Sequence, residues 1–199
     1  MIIYGDSKSG NCYKLQLLCA NLNIDYQWIE INILQGETQN EEFLSKNRNG
    51  KIPILQLDSG EILSESNAIL HYLARGSSLC SNDNLNHAKI LQWQFFEQYS
   101  HEPTIAVARF IEKYLGLPKE RLQEYKAKQQ AGYKALDVME HHLATQTFFV
   151  SNDYSIADIS LYAYTHVAHE GGFNLISYPN INAWLQRVTE QPGYQPMAI

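Results

Sequence analysis

Three short segments carry residue types that could do chemistry together. The first is Ser9-Gly10-Asn11-Cys12-Tyr13, which opens an apolar-periodic stretch at Leu15, Leu17, Leu18 and Leu22. A sulfur brought to such a helix start meets a hydroxyl donor and the positive end of the helix, and both favour thiolate over thiol. Ser9 also has the plainer role of an N-cap. The second is Ile52-Pro53, where a proline begins an apolar run after a loop containing Gly50. A cis bond there would free the Ile52 backbone to pair with an extended peptide ligand. The alternative is a proline that merely starts a strand. The third is Ser64-Glu65-Ser66-Asn67, which opens another helix. Its free N–H groups favour an anion, Ser66 adds a hydroxyl, and Glu65 can accept from an ammonium group. Together they suit the zwitterionic end of an amino acid, although capping alone also explains them.

The elements that must position these segments follow from pattern. Ile2-Ile3-Tyr4 reads as a buried strand, and a helix follows that ends near Asn21–Asn23. Tyr26 to Ile33 suggests a second strand, completing a βαβ unit. A short helix over Asn40–Lys46 comes next, then a hairpin of Ile52–Leu57 and Glu61–Leu63 turning at Asp58-Ser59-Gly60. A helix with Ala68, Ile69, Tyr72 and Leu73 on its apolar side closes this part. The order βαβ, helix, ββα predicts an α/β unit, a small mixed sheet with helices on both faces, over residues 1–77. Residues 86–199 read as an all-α second domain. Its helices are expected at His87–Leu115, with a bend at Pro103, and at Pro118–Leu143, Ser155–Glu170 and Asn180–Glu190.

Composition narrows the function classes. A net charge of −6 is the wrong sign for a nucleic-acid binder. No apolar run approaches the roughly 18 residues that span a bilayer, so no membrane partner is expected. The N-terminus lacks signal-peptide character, and Cys12, Cys19 and Cys80 form no disulfide or zinc framework. These features lead us to expect a cytoplasmic protein without a metal. His166, His169 and Glu170 are close in sequence but need a further ligand to hold an ion, so we read them as surface or packed residues, like His141 and His142. Asp158 stands at capping-box spacing after Ser155 and is expected to be structural.

Gly50-Lys51-Ile52-Pro53-Ile54-Leu55, followed by Leu63-Ser64-Glu65-Ser66-Asn67-Ala68-Ile69, resembles the cytosolic glutathione S-transferase family. Asp153-Tyr154-Ser155-Ile156-Ala157-Asp158 is similar to that family's C-terminal capping motif. The resemblance covers the whole chain. It implies a thioredoxin-like N-terminal domain, an all-helical C-terminal domain and a homodimer. It implies that Pro53 is cis, that the Ile52 backbone pairs with the cysteinyl part of glutathione, that Glu65 and Ser66 hold the γ-glutamyl end, and that Lys51 reaches the glycyl carboxylate. Ser9 then matches the catalytic serine of the theta and zeta classes. Tyr4 lies inside the first strand and is expected to pack. Tyr99, His101, Glu102 and Arg109 lie along the long helix and become candidates for a second-substrate pocket. Trp93, Phe95 and Phe96 are expected in the core or an interface.

The implied activity is conjugation of glutathione, as co-substrate, to an electrophilic small molecule for detoxification. Two alternatives stay open. Ser9-x-x-Cys12 has the spacing of a redox pair, so Cys12 could serve a glutathione-dependent thiol–disulfide reductase, as in the beta and omega classes. The same fold also serves non-catalytic glutathione-binding or interaction proteins.

Overall fold

A computed structural model describes residues 1–198. The chain divides into two units. Met1–Ser77 and the tail from Gln191 form the first, and Ser78–Glu190 the second. The tail was expected with the helical domain. It groups with the sheet because it lies against the first helix, not because of any regular structure of its own.

In the first unit the strands are β1 (Ile2–Gly5), β2 (Gln27–Glu30), β3 (Ile54–Gln56) and β4 (Ile62–Ser64), in the order β2-β1-β3-β4. β1 and β2 are parallel, as a βαβ crossover requires, and the other two pairings are antiparallel. The helices are α1 (Gly10–Leu22), α2 (Glu41–Lys46) and α3 (Ser66–Ala74). Two 3-10 turns, Ile33–Gln35 and Glu37–Gln39, precede α2. α1 stops where Asn23 takes a left-handed conformation, a common helix end for asparagine. The sheet has apolar residues on both faces. Tyr4 and Ile54 pack with Ile31 and Phe43 of the α2 side. Ile3 and Leu55, paired in register, face the other way and are fully buried. Tyr4 donates to Gln56 Oε1 at 2.8 Å and lies under the Lys46 ammonium, so it packs as expected.

The second unit is all helical, with α4 (Asn84–Phe96), α5 (Glu102–Arg109), α6 (Leu122–Leu143), α7 (Ile156–Thr165) and α8 (Pro179–Thr189). The long helix expected over His87–Leu115 is present as α4 and α5 with π-helical turns at Glu97–His101 and Phe110–Tyr114. The first π turn ends just before Pro103. Proline cannot donate to the carbonyl four residues back, so the ladder changes register there. No helix of the described residues is long and apolar enough to cross a membrane. The chain thus has a thioredoxin-like sheet unit and an all-helical unit.

α7 is buried along its whole length, and its start is built around Asp158. Oδ2 accepts from the Ser155 amide and hydroxyl, both at 3.0 Å, in a capping box. Oδ1 accepts from the Phe149 amide at 3.1 Å and Trp184 Nε1 at 3.0 Å. Burial pushes this carboxyl up to about 6 in spite of the four donors. At neutral pH it is therefore still the acceptor for all of them. Asp158→Asn turns an NH₂ group toward two of these donors. We expect a loss of about 2–4 kcal/mol of stability, read as a fall in melting temperature of roughly 5–15 °C. Activity should fall only with the folded fraction. A melting temperature within about 2 °C of the native value would remove the carboxylate from this role.

Candidate functional site

The sheet register gathers the candidate residues at one end. Tyr4 pairs with Ile54, and Ile54 with Ser64. The C-terminal end of β1, the start of β3 and the end of β4 therefore lie side by side. The segments beyond those ends are the Asp6–Ser9 turn, Lys51-Ile52-Pro53 and Glu65-Ser66.

The Ile52–Pro53 bond is cis. β3 begins only at Ile54, so Ile52 lies outside the strand ladder, half-buried. Asn47 Nδ2 donates to the Lys51 carbonyl at 2.8 Å and shapes the approach. Lys51 itself is exposed.

Glu65 is the N-cap of α3 and has φ 68° and ψ 110°. An L residue with positive φ outside the left-handed helical well costs of the order of 1–3 kcal/mol, and such residues collect at ligand sites. The Glu65 side chain is exposed. Ser66, the first residue of α3, is buried. Its hydroxyl lies 3.4 Å from Asn11 Oδ1 and 3.3 Å from Lys14 Nζ, both on α1. The first turns of α1 and α3 are therefore neighbours, and both present N–H groups and positive dipole ends to the same region. Asn11 and Lys14 were not singled out from the sequence. Lys14 is fully buried, and an ammonium so placed is informative because its desolvation is costly.

Ser9 is the N-cap of α1 with extended backbone, and its hydroxyl makes no capping bond. Its amide donates to the Asp6 carbonyl at 2.9 Å, and the Lys8 amide to Asp6 Oδ1 at 2.8 Å, which fixes the turn. Ser9 is partly exposed, whereas Cys12 is fully buried. The Cys12 sulfur lies under β1, where a Cβ on Gly5 would come within 2.8 Å of it. Desolvation pushes its thiol up to about 12, outweighing hydrogen bonds from the Ser9 side chain and the Asp6 backbone. A thiol of this kind stays S–H at physiological pH.

The helical unit does not bring Tyr99, His101 and Arg109 together. Tyr99 is 90% exposed. His101 is fully buried, with Nε2 2.8 Å from Thr165 Oγ1. Arg109 is buried and its Nε donates to Glu170 Oε2 at 2.6 Å, while Lys113 shares the same carboxylate. The two buried residues pair with different partners, Thr165 and Glu170. Glu170 is thereby committed to two cations. Burial pushes the neighbouring His166 down to about 4, and the ring stacks on Tyr162. Of the residues we expected to pack, Trp93 is buried against Phe96 and Phe149, and Phe95 is exposed.

Relatives and solved structures share this architecture. A glutathione S-transferase structure from Pseudomonas fluorescens Pf-5 is 56% identical with a TM-score of 0.98, covering 100% of this chain and 98% of that one. Glutathione S-transferase 3 of Zea mays is 27% identical over 97% of this chain and 90% of its own length. A disulfide-bond oxidoreductase of Escherichia coli (strain K12) is 28% identical over 92% of this chain and 87% of its own. The description "Glutathione S-transferase, N-terminal domain" matches residues 1–75, and "Glutathione S-transferase, C-terminal domain" matches residues 87–192. The chain belongs to the glutathione S-transferase family.

Proposed function

We propose that the chain is an enzyme that adds the thiolate of glutathione to an electrophilic small molecule, with Ser9 as the hydroxyl that meets the sulfur. The observation that carries this reading is the convergence of the Ile52-Pro53 loop, the Glu65-Ser66 turn and the start of α1 at one end of the sheet. Glutathione is a short zwitterionic peptide with a thiol in its middle, and each part has a counterpart here. Glu65 accepts from the γ-glutamyl ammonium. Ser66 and the first N–H groups of α3 donate to the adjacent carboxylate. The Ile52 backbone pairs with the cysteinyl residue, and Lys51 reaches the glycyl carboxylate. The sulfur then lies at the start of α1.

The thiol gives its proton to solvent on ionising. Its electron pair forms the new S–C bond, and the leaving group departs with the pair of the bond it breaks. The enzyme's part is to hold the thiolate at neutral pH. Two features favour the anion: the positive end of α1 and the Ser9 hydroxyl. The buried Cys12 stays S–H and so does not compete with the ligand as a thiolate. The Asp6 carboxylate is close enough to act against the anion, since its charge raises the neighbouring Cys12 thiol. We further propose that the protein acts as a cytoplasmic homodimer of the serine type.

The second reading, a glutathione-dependent disulfide reductase, draws on the Escherichia coli relative's name. Through Cys12 it is opposed by burial. Ser9→Ala should lower turnover about 10- to 100-fold, the loss of one hydrogen bond to a charged transition state or somewhat more. Glutathione affinity, read by calorimetry, should change less than about twofold, because Ser9 touches only the sulfur. Ser66→Ala should do the reverse, weakening glutathione about 10-fold with turnover at saturation retained. Full turnover in Ser9→Ala would remove its role. With its pKa near 12, Cys12 should be alkylated about a thousandfold more slowly than an ordinary cysteine. Mass spectrometry should find no glutathione on it after incubation with oxidised glutathione. A reductant-sensitive adduct on Cys12 would instead favour the reductase.

A further inference from the structure

The C-terminal tail is tied to α1 at a few points although most of its residues are exposed. A turn closed by the Tyr194 amide on the Gln191 carbonyl at 3.0 Å leads the tail onto α1. Asn21 Nδ2 donates to the Pro192 carbonyl at 2.8 Å. Gly193 lies over Ala20. Tyr13 donates its phenolic proton to the Gln195 carbonyl at 2.6 Å. The contacts therefore run from the C-terminal turn of α1 back toward its start, and Met197, further along, is buried.

Two features make this contact specific. Gly193 has φ +72°, and a Cβ there would come 2.4 Å from the Ala20 carbonyl oxygen. Only glycine both adopts that conformation and lets the tail lie so close. Tyr13 is fully buried, so its hydroxyl requires an acceptor, and the tail carbonyl supplies it. Tyr13 also closes the first turn of α1, its amide donating to the Ser9 carbonyl at 2.9 Å. Ser9, Tyr13 and Ala20 are spaced to lie on one side of the helix. A run of hydrogen bonds thus leads from the tail, through Tyr13, to Ser9.

We propose that Tyr13 is a positioning residue for the thiol chemistry, held by the C-terminal tail and in turn holding the Ser9 turn. This rests on the reading of Ser9 given above. A helix start without a side-chain cap is prone to fray. The Asp6 contacts hold the turn on its strand side, and on the helix side, where the Ser9 hydroxyl makes no cap, a second hold is needed. The tail provides it at Tyr13, one helical turn in. A donor misaimed by even a fraction of an ångström loses much of its value to a developing charge.

The test is the thiolate absorbance of protein-bound glutathione as a function of pH, with turnover and melting temperature, in four variants. Tyr13→Phe keeps the ring and loses only the hydroxyl. Gly193→Ala lifts the tail from outside the site. The double variant combines them, and Ser9→Ala is the reference. Tyr13→Phe and Gly193→Ala should each need a higher pH for the same thiolate fraction. Turnover should fall about three- to tenfold at about pH 6.5 and recover by about pH 9, with the KM for glutathione within about twofold. The double variant should be no worse than Gly193→Ala, since both break one linkage. A native pH profile in both single variants overturns the proposal. So does a lowered melting temperature with an unshifted titration, the result a merely structural tail would give. Additive losses in the double variant overturn it as well. Ser9→Ala separates the two claims. A shift there but not in Tyr13→Phe keeps Ser9 and overturns the strap. A shift in Tyr13→Phe but not in Ser9→Ala removes Ser9 as donor and leaves Tyr13 positioning the positive end of α1.

Discussion

Two helix starts with like electrostatic character are held side by side in the sheet unit. α1 and α3 begin side by side, and the Ser66 hydroxyl links them through Asn11 and Lys14. Lys14, bonded to Ser66, is fully buried at that junction. Such an arrangement is unfavourable by itself, because partial positive charges face one another in a region of low dielectric. An anionic group between them relieves the repulsion. In the proposed complex, a ligand carboxylate or thiolate would meet electrostatic work already done in folding. The positive φ at Glu65 belongs to the same account, since the turn that aims α3 at α1 is itself strained.

The sheet register is what allows those two starts to meet. β1 runs toward the site, β3 runs away from it, and β4 returns. Each segment of interest follows or precedes a strand by only a few residues. The Asp6 carboxylate, bonded to the Lys8 amide, keeps the first of these connections short and closed. With every linker this brief, little conformational freedom remains at the site, and a ligand meets donors that are largely in position before it arrives.

Much of this was legible from residue types, because the relevant signals are local. Asn23 marked the end of α1, the proline at 53 marked the start of β3, and Ser155 with Asp158 marked the capping box. The remainder depends on contacts between residues far apart in sequence. Lys14 looks like a solvated position on an amphipathic helix, and nothing near it in the chain says that Ser66, 52 residues on, will share its environment. Asn11 reads as a turn residue for the same reason. The tail after Gln191 is polar and short, with no periodicity to reveal that it covers Tyr13. Only Gly193 hints at a close approach, and a lone glycine also fits any loop. The candidates on the long helix differ in environment, Tyr99 exposed and His101 and Arg109 buried, since residues two apart face opposite ways on a helix. The π turn at Glu97–His101 shifts the register before Arg109 as well, which a plain 3.6-residue count does not anticipate.

The choice between Ser9 and Cys12 turns on the same helical geometry. The two residues are three apart, less than one turn, yet their environments are opposite. Ser9 precedes the first helical residue, with extended backbone and partial exposure. Cys12 is inside the first turn and faces the sheet. Room for its sulfur exists because Gly5 has no side chain and the Trp28 ring closes the other side of that gap. A larger residue at position 5 would meet the sulfur at van der Waals overlap, so the strand and the helix are fitted around a thiol that does not ionise. Reactivity at a helix start is thus decided less by which residue has the better nucleophile than by which one the cap leaves in solvent. Here the residue left there is a serine, which cannot form a mixed disulfide but can stabilise another molecule's thiolate.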